Sequence, residues 1–216
     1  RAAAGLFAGE MNTSGMSAGR WHALCDQLGL AAGNGVRQRF PDLERAYSEP
    51  QRHYHTAQHI GECLTLLDGV APQLADAPLV ELALWLHDVV YAPGAINNEA
   101  ASARLARAWL QKALPSGRLD RLARWIEGTR THEPAPAEPD LQALLDIDLA
   151  ILAAPAPRFA EYERQVRAEY AFVPEPVFAE RRRAFLRELA AQPRLYGHPE
   201  FAHLEAAARS NLRAQL

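Results

Sequence analysis

Residues 78–91 read PLVELALWLHDVVY, a stretch that is apolar on nearly every side of a helix. This pattern is typical of a helix buried in the middle of a bundle. His87 and Asp88 lie within it. An ionised carboxylate is very costly to bury without compensation, so Asp88 must meet a cation, a strong hydrogen-bond donor or a water-filled cleft.

The chain on either side of this stretch has the same helical period, and no window alternates for long enough to require a strand. The sequence therefore predicts an all-α fold, a compact multi-helix bundle, with one domain over residues 21–216. Residues 1–20 are rich in Gly, Ala and Ser and are expected to be a disordered tail or tag remnant. The predicted helices span 19–28, 38–47, 50–67, 78–91, 98–113, 117–129, 139–153, 158–171, 176–191 and 198–212.

Composition excludes several classes of protein. The 216 residues include 23 basic and 26 acidic side chains, a net charge of −3, which does not favour binding to a nucleic-acid duplex. Two cysteines cannot build a disulfide framework, so a reducing cytoplasmic compartment is expected. No apolar run reaches the 18 or so residues of a membrane span. Composition leaves the oligomeric state open.

The segment 50–67, PQRHYHTAQHIGECLTLL, adds imidazoles. His55 and His59 are four residues apart, on one face of a predicted helix and away from its apolar side. Arg52 lies on the same stripe, where it could bind a phosphate or pair with Glu49. Either histidine taken alone could be an ordinary hydrogen-bonded residue or a metal ligand.

The segment 139–153, PDLQALLDIDLAILA, carries two aspartates that a helical wheel separates. With Leu141 at zero, Asp148 falls at about −20°, in the middle of the apolar face, and Asp146 at about 140°, on the opposite side. Asp148 is therefore the predicted inward carboxylate, and Asp146 is expected at the surface or near a helix cap.

Two inward carboxylates and several imidazoles on neighbouring helices favour a shared divalent cation, which would compensate every buried charge at once. Nitrogen and oxygen ligands without a thiolate suit Mn, Fe, Co, Ni, Mg or Zn, and the residues do not choose among them. Glu99 follows Asn97 and Asn98 at a predicted helix start, where it could contact substrate or simply complement the helix dipole.

These residues resemble the HD superfamily of metal-dependent phosphohydrolases. Its signature, a first His, a His-Asp pair on a central helix and a later Asp, corresponds here to His59, His87, Asp88 and Asp148. The segment RHYHTAQHI is also similar to the YHxxxH segment of cyclic-nucleotide phosphodiesterases, which implies His59 as metal ligand and His55 as general acid.

More narrowly, the chain resembles a bacterial group of predicted HD phosphohydrolases through HDVVY at 87–91, NEAASA at 98–103, DIDLAIL at 146–152 and ARSNL at 208–212. One departure matters. HD oxygenases place two further histidines between the pair and the last Asp, and this chain has only His132 there. One metal, or a second held mainly by Asp88 and water, is therefore expected. His132 could contact phosphate or metal-bound water, or be a plain loop residue.

The expected function is hydrolysis of a phosphate ester of a small, nucleotide-like molecule. The metal would activate water that Asp88 orients or deprotonates, and His55 would protonate the leaving oxygen. The alternatives are a non-catalytic module that binds metal and nucleotide, and an HD-type di-iron oxygenase. The remaining hypothesis is a purely structural bundle whose histidines are ordinary core residues.

Overall fold

The computed structural model describes residues 15–30 and 35–216, and within them the fold is entirely helical, without strands. The predicted all-α class is therefore confirmed. The α-helices in this part of the chain are α1 (Ala18–Gln27), α2 (Phe40–Ala46), α3 (Ala57–Val70), α4 (Ala77–Leu86), α5 (Asn98–Leu110), α6 (Ser116–Gly128), α7 (Pro139–Leu149), α8 (Ala156–Glu169), α9 (Glu175–Ala191) and α10 (Glu205–Gln215). Short 3-10 helices lie at Arg37–Arg39, Ala71–Gln73, Ala150–Ala153 and Pro199–Leu204. None of these helices is long and apolar enough to cross a bilayer.

Helix α4 is the centre of the bundle, as its apolar sequence predicts. It packs against α1, α3, α5, α6 and α7. Residues 82–86 have no exposed surface, and Trp85 packs edge-on against Trp21 of α1, with ring centroids 5.5 Å apart. A helix with neighbours on all sides needs apolar residues on all sides, which explains why it lacks a polar face.

The central helix ends earlier than predicted, at Leu86 rather than at residue 91. His87 is its C-cap, and the chain beyond it pairs with α5 instead of continuing the helix. The backbone N–H of Val90 donates to Ser102 Oγ, at 3.1 Å, and that of Ala92 donates to Asn98 Oδ1, at 3.0 Å. The His-Asp pair is thus held at the end of a rigid helix.

Helix α3 begins at Ala57 rather than at residue 50. Thr56 has extended backbone angles and its side chain accepts a hydrogen bond from the N–H of Gln58, which is the geometry of an N-cap. Residues 50–56 form turns, so His55 and His59 do not share the helical face that their spacing predicts.

Asp146 of α7 is buried, and its expected surface position is wrong. Its carboxylate accepts hydrogen bonds from the Gln142 side chain and from the backbone N–H groups of Gly197, at 3.1 Å, and His198, at 2.6 Å. The segment before α10 therefore covers the side of α7 that faces away from Asp148.

The expected tail over residues 1–20 is too long at its C-terminal end. Met16 is buried and Ser17 caps α1 by accepting a hydrogen bond from the N–H of Arg20. Arg20 also pairs with Asp68 and Glu81. Residues 1–14, the remainder of that prediction, lie outside the described residues.

Candidate metal centre

Three side chains from three parts of the bundle meet at one point: His59 from the first turn of α3, His87 at the end of α4 and Asp148 near the end of α7. The two Nε2 atoms of His59 and His87 are 3.2 Å apart. Oδ1 of Asp148 lies 3.2 Å from Nε2 of His59 and 3.4 Å from Nε2 of His87. Each residue thus offers an atom within 4.8 Å of the other two, a set that could hold a metal ion.

These separations match the edges of a metal coordination sphere. Two ligands that each lie about 2.1 Å from a common ion are about 3.0 Å apart at right angles and about 3.4 Å apart in a tetrahedron. The three measured edges, 3.2, 3.2 and 3.4 Å, fall inside that range.

The protonation of His87 gives a second reason to expect a cation. Its Nδ1 lies 3.0 Å from the carbonyl oxygen of Leu84, which can only accept, so Nδ1 must carry the hydrogen. In the neutral ring Nε2 is then a bare lone pair, and it faces the carboxylate oxygens of Asp88 and Asp148. Lone pairs that face one another in a buried site require a proton or a metal ion between them. A backbone carbonyl that fixes the tautomer in this way is common behind metal-binding histidines.

Asp88 lies beside this trio. Its Oδ2 is 3.0 Å from Nε2 of His87 and 3.6 Å from Nε2 of His59. It could therefore complete a four-ligand set or bind through a water molecule. All four residues of the predicted set thus lie together.

Electrostatics in the cluster follow from the two carboxylates. Burial by itself lowers the pKa of His87, but the charges of Asp88 and Asp148 outweigh it and raise that pKa well above its ordinary value. Conversely, burial favours protonated Asp88 and Asp148, and the neighbouring histidines, His87 first, hold both of their pKa values low. The two carboxylates, Asp88 and Asp148, therefore stay ionised beside a positive charge in the cluster.

His132 also reaches the cluster, although the sequence left its role open. Its Nε2 lies 2.8 Å from Oδ2 of Asp148, whereas the nearest Asp148 oxygen to His59 and His87 is Oδ1. His132 has a φ of 50°, in the left-handed region that a residue with a Cβ seldom adopts. Such strain persists where the surroundings determine the conformation, as at functional sites.

Glu169, at the end of α8, organises the turn that carries His55, and sequence reasoning missed it. Its Oε1 accepts hydrogen bonds from the backbone N–H groups of His53, Tyr54 and His55, at 2.9, 2.8 and 3.0 Å. Its Oε2 accepts from the Tyr91 hydroxyl, at 2.7 Å, and lies 2.8 Å from Nδ1 of His55. Burial by itself raises the pKa of Glu169, but these donors, His55 first, lower it to about 2.

A signal for Glu169 was present in the sequence. The buried face of α8 consists of Phe159, Tyr162, Val166 and Glu169, which recur at helical spacing. The wheel that singles out Asp148 would place Glu169 on the apolar side of α8 in the same way.

His55 is held on both sides by these contacts. Its ring stacks on Tyr91, with centroids 4.1 Å apart, while Nδ1 is engaged by Glu169. Burial by itself lowers the pKa of His55, and the carboxylates of Asp88 and Glu169 more than offset this, so the pKa is raised. Nε2 is the ring nitrogen left for other contacts.

Arg52 is buried beside the His55 turn and contacts protein groups there. Its side chain has no exposed surface and pairs with Glu49 at 3.0 Å, the second of its two predicted roles. The guanidinium also donates to the carbonyl oxygens of His55, Asp88 and Val89, at 3.1, 2.7 and 3.1 Å. It thus ties the His55 turn to the chain that follows α4.

Glu99 is not brought to the cluster. It is half-buried in the first turn of α5 and makes no hydrogen bond or ion pair with any residue that the structure describes. That position favours its simpler reading, a carboxylate that complements the helix dipole.

Cys63 lies one turn after His59, and its Sγ is 3.7 Å from Nδ1 of His59. Burial raises the pKa of this thiol well above its usual value, which favours the neutral form. The three side chains that converge, His59, His87 and Asp148, offer nitrogen and oxygen atoms, as the sequence predicts.

A cavity of about 500 Å³ opens beside the cluster, and His55, His132 and Asp148 are part of its wall.

Comparison with protein-family models, with curated proteins and with solved structures found no match to this chain. The structure itself shows an all-helical bundle with a His-His-Asp cluster that could hold a metal ion.

Proposed function

We propose that the chain is a metal-dependent phosphohydrolase, of the kind implied by its resemblance to the HD superfamily. The observation that carries this proposal is the convergence of Nε2 of His59, Nε2 of His87 and Oδ1 of Asp148, next to a cavity whose wall includes Asp148. A divalent ion held there, with Asp88 as the further ligand, would lower the pKa of a bound water and neutralise charge on phosphoryl oxygens.

The residues around the cluster would divide the reaction between them. Asp88 would orient the attacking water or take its proton. A bond forms from the water oxygen to phosphorus, the bond from phosphorus to the alcohol oxygen breaks, and Nε2 of His55 supplies the proton with which the alcohol leaves. Glu169 holds His55 in place through Nδ1, and His132 orients Asp148.

Hydrolysis by the metal-loaded protein tests the proposal. The protein is stripped with chelator, reloaded with Mn²⁺, Co²⁺, Ni²⁺ or Zn²⁺ and offered phosphate monoesters and diesters, nucleotides included. We expect hydrolysis that requires metal and falls at least about a hundredfold in Asp88→Asn and His55→Ala, the loss that a removed acid or base produces. The control His53→Ala removes an exposed imidazole from the same turn and should keep full activity.

Two results would overturn the proposal. Binding of metal and phosphorylated ligands without turnover across the panel would indicate a binding module. Oxygen uptake by the iron-loaded protein, without phosphate release, would indicate an oxygenase.

A further inference from the structure

The cavity beside the metal centre has an unusual wall for a protein that handles phosphate. Outside the metal-centre residues it is mostly apolar, and the described part of its lining contains no Asn, Gln, Ser or Thr. Its apolar side chains come from the chain after α7 and from α8 and α9 with the turn between them, and include Ile151, Leu152, Val166, Phe172, Phe178 and Phe185.

The wall also carries two arginines of α9, Arg181 and Arg182. Arg182 is paired with Glu163, at 2.6 Å, and its guanidinium lies over the rings of Tyr162 and Phe185, at 5.1 and 5.3 Å. Arg181 is exposed and forms no ion pair with any described residue, so it is a free positive charge at the edge of this wall. Inside the cavity, therefore, Arg182 contributes a neutralised and stacked group rather than a free charge.

Two aromatic rings of the wall remain largely open to water. Phe172 is 66% exposed and Phe185 is 43% exposed, although both line the cavity. Phe172 packs over Gly94, where a Cβ would lie 3.1 Å from the ring and where the φ of 82° favours glycine. Exposed aromatic rings grouped around a concavity are typical of a ligand-binding surface.

One buried polar atom lies in the same wall without a partner. The hydroxyl oxygen of Tyr54 has no hydrogen bond within the described chain, although the ring packs against His59 and Tyr162, with centroids 4.8 and 4.6 Å apart. Leaving a buried hydroxyl unpaired costs roughly 1–3 kcal/mol. Tyr54 therefore carries an unsatisfied hydroxyl beside the cavity that its side chain helps to line.

We infer that the substrate's leaving group is an apolar alcohol, aliphatic or aromatic, which occupies this cavity while its phosphate lies at the metal centre. A nucleoside fits this wall poorly, because reading a base requires hydrogen-bonding groups at its edge, and the lining offers few. The cavity volume, about 500 Å³, is that of sites for small organic ligands. This inference rests on the proposed function and names its substrate class.

A homologous series tests the inference with two readouts. The first is kcat/KM of the metal-loaded protein for ethyl, butyl, hexyl and octyl phosphate and for their methyl diesters. The second is the affinity of the non-hydrolysable ethyl to octyl phosphonates, measured by calorimetry with and without metal. We expect each added methylene to raise both quantities about fourfold until the cavity is full, the effect of burying one methylene. Adenosine and thymidine monophosphates should be poorer substrates than hexyl phosphate.

Variants locate the effect in the cavity. Phe185→Ala should weaken the dependence on chain length, whereas Val177→Ala, at a similarly exposed apolar position of α9 outside the cavity wall, should leave it unchanged. Tyr54→Phe should leave the dependence on chain length unchanged, because it removes only a hydroxyl that is buried beside the cavity.

The outcomes separate the inference from the function on which it rests. Hydrolysis that is indifferent to chain length, or faster for nucleotides, overturns the inference and leaves the phosphohydrolase standing. Affinity for phosphonates that grows with chain length, without hydrolysis of any ester, supports the apolar site and overturns the phosphohydrolase.

Discussion

At the scale of single residues, Glu169 shows how one carboxylate can shape a site without binding metal. It satisfies three consecutive backbone N–H groups, the Tyr91 hydroxyl and the His55 ring. These contacts fix residues 53–55 in a turn, and α3 begins after it, at Ala57.

Replacement of Glu169 by Gln should destabilise the fold. The amide keeps the shape but places an N–H₂ group against donors, so we expect the free energy of unfolding to fall by roughly 1–3 kcal/mol. Urea denaturation measures this. The control Glu180→Gln, an exposed residue of α9 without an ion pair among the described residues, should change it by less than about 0.5 kcal/mol.

The parent protein and Glu169→Gln should also differ in how their free energy of unfolding changes at acid pH. The pKa of Glu169 is about 2 in the folded protein and has an ordinary value of 4.5, so the unfolded chain takes up a proton that the folded chain refuses. The stability that Glu169 contributes is therefore present above pH 4.5 and is lost as the pH falls toward 2. Glu169→Gln should lose less stability than the parent across this window. Parallel losses in the two proteins would contradict the assigned pKa.

At the scale of elements, the start of α3 decides where His59 lies. Thr56 caps the helix by accepting from the N–H of Gln58, at 3.3 Å, and His59 follows in the first turn. Fraying of this turn would move His59, a member of the candidate metal cluster, so we expect cap strength and metal affinity to be coupled.

Thr56→Ala should lower the free energy of unfolding by about 1 kcal/mol and weaken metal binding. The same substitution at Thr65, exposed within α3 and bonded only to the Gly61 carbonyl oxygen, should be neutral or slightly stabilising, since alanine is the better helix former. Thermal unfolding and metal titration of both variants measure these effects. Equal destabilisation by the two substitutions would show that the cap has no special role.

At the scale of the whole molecule, the local pattern of apolar residues predicted the helical fold, the central helix and the inward position of Asp148. The apolar run of α4 identified the central helix, and the wheel of α7 identified Asp148. The wheel failed for Asp146 because it assumes one buried face, whereas α7 is covered on its other side by Gly197 and His198.

The contacts that shape the site could not be predicted because they join distant parts of the chain through backbone atoms. Glu169 binds the N–H groups of a turn more than 110 residues before it, and Arg52 binds the carbonyl oxygens of Asp88 and Val89. Backbone donors and acceptors are the same at every position, so sequence carries no sign of which ones meet.

Metal binding by ligand variants tests the central claim most directly. Calorimetric titration of the stripped protein with Co²⁺ or Zn²⁺ should show at least one tightly bound ion per chain. His59→Ala, His87→Ala and Asp148→Ala should each weaken that site by more than a hundredfold while keeping helical circular dichroism, and His53→Ala should bind like the parent. If the three variants bind as much metal as the parent, with unchanged affinity, these side chains do not share an ion and the account is contradicted.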